Sequence, residues 1–179
     1  MSVSVKLSAG SNFPTMSANT LDGNTIALGR THHDAIWQMV VVYRGQHCPL
    51  CTKFLNRLEE FKTRLLKIGL DIVAVSADSR AQLEAHKEKL TTSFPIAYGL
   101  TQVQMQQLGL YISIPRSEQE TDHDFAEPGL FVVNRVGVIQ VIDISNNPFC
   151  RPDLEALVSG LEWISDPDND YPIRGTLAY

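Results

Sequence analysis

Two consecutive segments with different hydrophobic periods constrain the fold more than any other feature of this sequence. Residues 37–43 are apolar except for Gln38 and rich in valine, which is typical of a short β-strand buried on both faces. From residue 51 to 68, apolar side chains recur at intervals of three and four, which predicts an amphipathic helix ended by Gly69. A buried strand that leads directly into such a helix is typical of an α/β protein.

The middle of the chain continues this alternation, with capping-box patterns at two of the predicted helix starts. The predicted elements are, in order, a strand at 71–76, a helix from Ser79 to about Leu90, a strand at 94–97 and a short helix opened by Thr101. The order strand, helix, strand, helix predicts parallel strands with helices on both faces of the sheet.

The two ends of the chain add antiparallel elements. Residues 14–28 predict an N-terminal β-hairpin, because a Leu-Asp-Gly-Asn turn separates two extended runs. Residues 113–127 are polar and acidic, and we expect a loop there. Strands at 130–133 and 138–142 should form an edge hairpin, followed by a last helix that begins at Pro152. We therefore predict one α/β domain, residues 1–179, with a central mixed sheet flanked by helices.

Composition excludes several classes of function. The 15 basic and 20 acidic side chains leave a net charge of −5, without the basic excess that nucleic-acid or anionic-membrane binding requires. No stretch approaches the ~20 apolar residues of a membrane span. The N-terminus has no secretion signal pattern, so we expect a cytoplasmic protein. Three cysteines are too few for a disulfide scaffold, and in a reducing compartment the close pair needs a chemical explanation.

The strongest chemical signal is the sequence Cys48-Pro49-Leu50-Cys51 at the junction of the buried strand and the helix. Unpaired backbone N–H groups and the helix dipole stabilise a thiolate at a helix N-terminus. Two cysteines three positions apart on the first turn can close a small disulfide ring. Pro49 suits the first helical position, where a missing N–H is harmless and a fixed φ pre-organises the turn.

Helix register divides the roles of the two cysteines. Cys51 lies three residues before Phe54 on the apolar stripe, so its sulfur should point inward, whereas Cys48 lies at the cap. For dithiol–disulfide exchange, Cys48 is then expected to attack and Cys51 to resolve the mixed disulfide.

The chain resembles the alkyl hydroperoxide reductase and thiol-specific antioxidant family, the peroxiredoxin branch of the thioredoxin-like fold. The likeness rests on GSNFP near the start, VVYRGQHCPLC, DIVAVSADS and LFVVNRVGVI. It is similar to a peroxiredoxin-like branch with a Cys-x-x-Cys pair, in which the second cysteine aligns with the peroxidatic one. The resemblance implies a thioredoxin-like sandwich in which Cys51 attacks peroxide. It also suggests homodimers.

Three positions depart from the peroxiredoxin pattern. Family members carry a proline and then a threonine or serine before the peroxidatic cysteine, and these positions are Arg44 and Cys48 here. The family's arginine ahead of a later strand is replaced by Pro128. Pro128 instead matches the cis-proline of thioredoxins and glutaredoxins, which would expose the backbone of Glu127 to a substrate chain. Arg44 could hold the thiolate's charge or an anionic substrate, or form an ordinary strand-end salt bridge.

We therefore expect an oxidoreductase, and thiol–disulfide exchange through Cys48 and Cys51 is the leading hypothesis. The alternative is a thiol peroxidase in which Cys51 forms a sulfenic acid and Cys48 condenses with it. A further alternative is a non-catalytic redox sensor or binding module. The expected partners are a disulfide or hydroperoxide substrate and an external reductant such as thioredoxin or a small thiol.

A Cys-x-x-Cys pair can be half of a structural zinc site or two inert core thiols. A second ligand pair at similar spacing is missing, and no phosphate-cradling or flavin motif occurs, so we expect no metal and no cofactor. Cys150, just before the last helix, is expected to be a packed or weakly exposed thiol.

Overall fold

The computed structural model describes residues 5–32 and 34–178. Residues 1–4 lie outside the described residues. They are part of the N-terminal stretch from which we expected a cytoplasmic protein. The strands are β1 (Met16–Thr20), β2 (Thr25–Leu28), β3 (Trp37–Val42), β4 (Leu70–Val75), β5 (Ile96–Tyr98), β6 (Ile112–Ser113), β7 (Phe125–Ala126), β8 (Gly129–Asn134) and β9 (Ile139–Ile144). The helices are α1 (Pro49–Lys67), α2 (Arg80–Lys87), α3 (Gln102–Gln107) and α4 (Leu154–Ser165), followed by a 3₁₀ turn at Pro167–Asn169.

The main sheet has seven strands in the order β2-β1-β5-β4-β3-β8-β9. The central strands β3, β4 and β5 are parallel, and the strands added on either side are antiparallel. The predicted mixed sheet, the N-terminal hairpin and the edge hairpin are thus confirmed. A second sheet pairs only the short strands β6 and β7.

Side chains of β3 alternate between two hydrophobic cores, as expected for a strand covered on both faces. Met39 and Val41 pack with α1, α2 and α4 on one face. Val40 and Val42 pack on the other face with α3 and the N-terminal segment around Phe13. The sheet is therefore the middle layer of an α/β sandwich.

Helix α1 follows its predicted register with one correction. The fully buried positions include Cys51, Leu55 and Leu58, whereas Phe54 is only half-buried. The helix ends as predicted before Gly69, which has a φ of 71°. A left-handed residue at this position favours glycine because it lacks a Cβ.

The sequence placed three other boundaries wrongly. Helix α4 begins after Pro152, because the Asp153 side chain accepts a hydrogen bond from Ala156 N at 2.8 Å and caps the helix. Helix α2 ends before Leu90, since the last hydrogen bonds tighten to a three-residue spacing. The segment 113–127 is not loop throughout, because its ends pair as β6 and β7.

Among the residues that the structure describes, no helix is both long and apolar enough to cross a membrane.

Candidate active site

The topology brings three chain segments together at one end of the sheet. Val42, the last residue of β3, lies between Val75 of β4 and Gly129 of β8. The turn from β3 into α1 therefore packs between residues 76–78 and residues 127–128. Both cysteines of the Cys-x-x-Cys pair lie in this crowded corner.

Cys48 is the N-cap residue of α1, and Pro49 is the first helical residue, as predicted. The backbone carbonyl of Cys48 accepts hydrogen bonds from Cys51 N at 3.0 Å and Thr52 N at 3.2 Å. The Cys48 side chain makes no capping hydrogen bond. Although it lies at the cap, the residue is only 2% exposed. Its sulfur is thus at the positive end of the helix but largely screened from solvent.

Cys51 points into the core, also as predicted, and is 0% exposed. The Arg151 Nη2 atom donates a hydrogen bond to Cys51 Sγ over 2.9 Å. The same guanidinium stacks on the Phe54 ring, 4.7 Å from its centroid. Sequence reasoning missed Arg151, because no local pattern connects it with a cysteine that is distant along the chain.

The environment separates the acidities of the two thiols. A hydrogen bond from the Cys51 thiol and the nearby Arg44 guanidinium lower the pKa of Cys48 from 9.0 to about 6. Burial raises the pKa of Cys51, as does its hydrogen bond to Cys48, and the charge of Arg151 opposes this. At neutral pH the reduced pair therefore holds a thiolate at Cys48 and a proton at Cys51.

Arg44, which follows the end of β3, forms ion pairs with two glutamates and also lies beside the Cys48 thiolate. Its Nε lies 3.2 Å from Glu127 Oε2, and its Nη2 lies 3.6 Å from Glu120 Oε1. Ser113 Oγ donates to the other Glu127 oxygen over 2.7 Å, and the Phe125 ring lies 4.7 Å below the guanidinium. Arg44 is thereby held beside Cys48 instead of extending into solvent.

The prediction of a cis-proline at Pro128 is wrong. All peptide bonds in the described residues are trans, including the one before Pro128. The Glu127 N–H donates to Tyr111 O over 2.8 Å, and Pro128 O accepts from Ser145 N over 3.0 Å. The backbone here is already hydrogen-bonded within the protein, so the structure brings Glu127 to the site through its carboxylate.

Other ionisable groups lie near the pair, but His47, His86 and Asp78 form no hydrogen bond to either sulfur within the described part of the chain. Burial, with the charge of Arg44, lowers the pKa of His47 to about 4. Burial also lowers the pKa of His86 to about 4 and raises that of Asp78, whose carboxylate accepts from Gln46 N at 2.8 Å. At neutral pH the two histidines are uncharged, so the positive charge near the cysteines comes from the arginines.

Cys150 is exposed. Of the two expectations for it, a packed or a weakly exposed thiol, the packed one is wrong. The residue lies in the irregular segment before α4, where no element covers it. Within the described parts of the chain, no three His, Cys, Asp or Glu side chains are grouped so that they could hold a metal ion.

Residues 9–142 match the family model described as the AhpC/TSA family. The chain belongs to the AhpC/TSA family. This membership covers well over half of the sequence and includes both cysteines of the pair. The chain is accordingly an oxidoreductase with thiol-dependent redox chemistry, as expected from the sequence. No curated protein matches the chain in sequence.

Solved structures show that this AhpC/TSA chain has the thioredoxin-like fold of peroxiredoxins. A peroxiredoxin-like protein from Aquifex aeolicus matches with a TM-score of 0.72 and 16% identity, over 88% of each chain. Mycobacterium tuberculosis AhpC matches with a TM-score of 0.73 and 16% identity, over 92% of this chain and 96% of that one. Peroxiredoxin 6 of Arenicola marina has a TM-score of 0.73 and 16% identity, over 90% and 75%.

In this AhpC/TSA chain, two arginines supply the positive charge near the cysteine pair. Pro128 stands where the sequence resemblance places an arginine. The guanidinium groups near the sulfurs instead belong to Arg44, directly after β3, and to Arg151, before α4.

Proposed function

We propose that this protein is a thiol peroxidase, in which Cys48 and Cys51 reduce a hydroperoxide and become a disulfide. The observation that carries the proposal is the burial of both cysteines, which are 2% and 0% exposed, beside arginine side chains. Family membership supports the same choice. This reverses the order of the two leading hypotheses from the sequence.

The burial of Cys48 favours a small oxidant over a large one. A protein or peptide disulfide must align its S–S bond with the attacking thiolate, and it brings a polypeptide with it. A hydroperoxide needs to bring only two oxygen atoms to the sulfur. A thiolate that is 2% exposed therefore favours the smaller oxidant.

Acidity assigns the first step to Cys48, since the thiolate is the nucleophile and its pKa is about 6. Its sulfur bonds to the terminal oxygen of the hydroperoxide while the O–O bond breaks. The products are Cys48 sulfenic acid and an alkoxide, or hydroxide from hydrogen peroxide. The leaving oxygen takes the proton of the Cys51 thiol, which is hydrogen-bonded to Cys48.

The second step closes the disulfide. Cys51, now a thiolate beside Arg151, attacks the Cys48 sulfur, and hydroxide leaves as water after taking a proton from solvent. In total, two cysteine thiols lose two electrons, and the hydroperoxide becomes an alcohol and water. An external thiol reductant then restores the pair by exchange.

Thiol–disulfide exchange remains a second candidate, because a cysteine with a lowered pKa at a helix start also suits that reaction. The Cys51-first peroxidase suggested by the sequence resemblance is a third. In its favour, the Arg151 guanidinium donates directly to Cys51 Sγ.

Variants in which one cysteine of the pair is replaced distinguish these mechanisms. Cys48→Ser and Cys51→Ser proteins, fully reduced, would each be treated with one equivalent of hydrogen peroxide and a sulfenic-acid trap, followed by mass spectrometry. We expect rapid sulfenic acid on Cys48 in the Cys51→Ser protein. The exposed Cys150 serves in the same samples as an internal reference for a thiol outside the pair.

Each outcome selects one reading. Rapid sulfenic acid on Cys51 in the Cys48→Ser protein would transfer the attacking role to Cys51. If peroxide is inert but an added disulfide is trapped on Cys48, the protein is an exchange catalyst and the peroxidase proposal fails. If neither cysteine reacts faster than Cys150, the protein is a sensor or binding module.

A further inference from the structure

An open groove lies beside the redox pair, on the outer side of Arg151. It has a volume of about 400 Å³ and runs between the first turns of α1 and the segment that leads into α4. Its walls are largely apolar, with Leu50 and Phe54 on one side and Phe149 and Leu154 on the other. Volumes of this size are typical of small-molecule sites, which combine apolar walls with a few charged groups.

The charged groups at the groove do not balance. Glu155 is occupied by Arg64, with 2.7 Å between Arg64 Nη1 and Glu155 Oε1. Asp153 caps its own helix through Ala156 N. Both groove acids are therefore engaged inside the protein.

The basic groups at the groove are less fully paired. Arg57 lies 3.0 Å from Glu60. Lys53 and Arg151 also line the groove. Neither makes an ion pair among the residues that the structure describes, although the charge of Arg151 acts on the Asp143 carboxylate. The groove is thus lined by an apolar surface with three basic and two acidic side chains, and this excess of one positive charge is complementary to an amphiphilic monoanion.

Phe149 supports a ligand-binding interpretation of the groove. Its side chain is 82% exposed, although it borders this apolar depression. A bound apolar group would cover part of the ring and gain hydrophobic free energy.

We propose that this groove binds a small amphiphilic carboxylate, with its apolar chain against Phe54 and Phe149 and its carboxylate between Lys53 and Arg151. The concave shape and limited volume favour a small molecule over a protein surface. The proposal does not depend on the peroxidase function, although Arg151 is shared by the groove and by Cys51. A ligand held there would contact the same side chain that donates a hydrogen bond to the Cys51 sulfur.

Calorimetric titration of the full-length reduced protein with decanoate tests the proposal, at concentrations below micelle formation. Acetate and uncharged 1-decanol serve as comparison ligands. We expect saturable 1:1 binding of decanoate, weaker binding of decanol and no measurable binding of acetate. Lys53→Gln should weaken decanoate binding by about 3- to 5-fold and leave decanol unchanged, because a single exposed ion pair contributes little.

Two more variants complete the test. Phe149→Ala, which alters an exposed side chain, should weaken both decanoate and decanol, whereas Lys67→Gln, in the last turn of the same helix, should weaken neither. Circular dichroism would show that each variant is folded.

Absence of saturable decanoate binding would overturn the proposal, as would equal affinities for decanoate and decanol. Sedimentation would show whether a second copy of the chain covers the groove. A dimer that decanoate neither binds to nor dissociates would also overturn the proposal. None of these results decides the peroxidase proposal, which is tested separately by the reaction of the cysteines with peroxide.

Discussion

At the residue scale, the two cysteines of one short motif differ because their neighbours differ. Cys48 accepts a hydrogen bond from the Cys51 thiol and faces Arg44, whereas Cys51 lies in the apolar core and keeps its proton. In the proposed mechanism, the attacking thiolate is thus stabilised by the cysteine that later resolves it. Oxidation to a disulfide would remove this hydrogen bond, so the acidity belongs to the reduced state alone.

The pH dependence of Cys48 alkylation checks this assignment. In the reduced wild-type protein, the rate of iodoacetamide reaction at Cys48 should rise through a midpoint near pH 6, where the thiolate forms. Arg44→Gln removes a positive charge and a hydrogen bond, and should move the midpoint upward by about one pH unit. Arg80→Gln removes an exposed arginine from a surface ion pair with Glu84 and should not move it. An unshifted midpoint in Arg44→Gln would show that Arg44 does not stabilise the thiolate.

The same acidity predicts how stability depends on pH. The Cys48 pKa is lower in the folded protein, at about 6, than its ordinary value of 9.0. Between these values the unfolded chain binds more protons, so the free energy of unfolding should rise with pH. This contribution is complete above pH 9 and is lost as the pH falls through about 6. Urea unfolding of reduced wild type and Cys48→Ala at pH 6 and 8 should show a larger rise for wild type; equal changes would refute the linkage.

At the scale of the element, α1 must hold both cysteines in register with the core. Its buried face runs from Cys51 through Leu55 and Leu58, and its end is set by Gly69. A Cβ on Gly69 would lie 3.1 Å from Ile36 Cγ1, in addition to the cost of a positive φ. The connection into β4 therefore depends on glycine.

Two glycine-to-alanine changes should have opposite effects on stability. Gly69→Ala should destabilise the protein by about 1–2 kcal/mol, because a left-handed conformation is unfavourable for an L-residue with a side chain. Gly160→Ala should stabilise it by about 0.5–1 kcal/mol, because Gly160 lies inside α4 with nothing within 4 Å of its Cβ position. Urea midpoints of both variants provide the measurement. A neutral Gly69→Ala would contradict the proposed role of its backbone conformation.

At the scale of the whole molecule, polar contacts hold the acidic segment 113–127 against the candidate active site. Glu120 and Glu127 pair with Arg44, and Gln82 Nε2 donates to Asp122 over 2.9 Å. The segment therefore connects the residue beside the thiolate with α2. Its acidic character is used within the protein and is not simply a solvated surface.

Hydrogen exchange can test whether Arg44 fastens this segment. Arg44→Gln should increase amide exchange several-fold within residues 113–127 and leave β3 and β4 unchanged, because the lost contacts are local. Arg80→Gln serves as the control, since its ion pair lies on the surface of α2. Unchanged exchange in the segment would show that its other contacts suffice.

Most regular elements could be predicted from the sequence, because their signals are local. The 37–43 run, the stripe of α1 and the capping boxes at Ser79 and Thr101 all lie within one element. The wrong start of α4 arose from two competing local signals. Pro152 suits a first helical turn, yet Asp153 caps α4.

The sequence by itself determined the alternation of strands and helices, and placed a cysteine pair at the start of α1. Those features depend on periodicity and on neighbours a few residues away. Only the tertiary structure decided what surrounds the sulfurs. Arg151 comes from a segment far along the chain, and its contact with Cys51 exists only because α4 packs against α1. Hydrophobic periodicity directs such packing, but the resulting pair of side chains leaves no local pattern in the sequence.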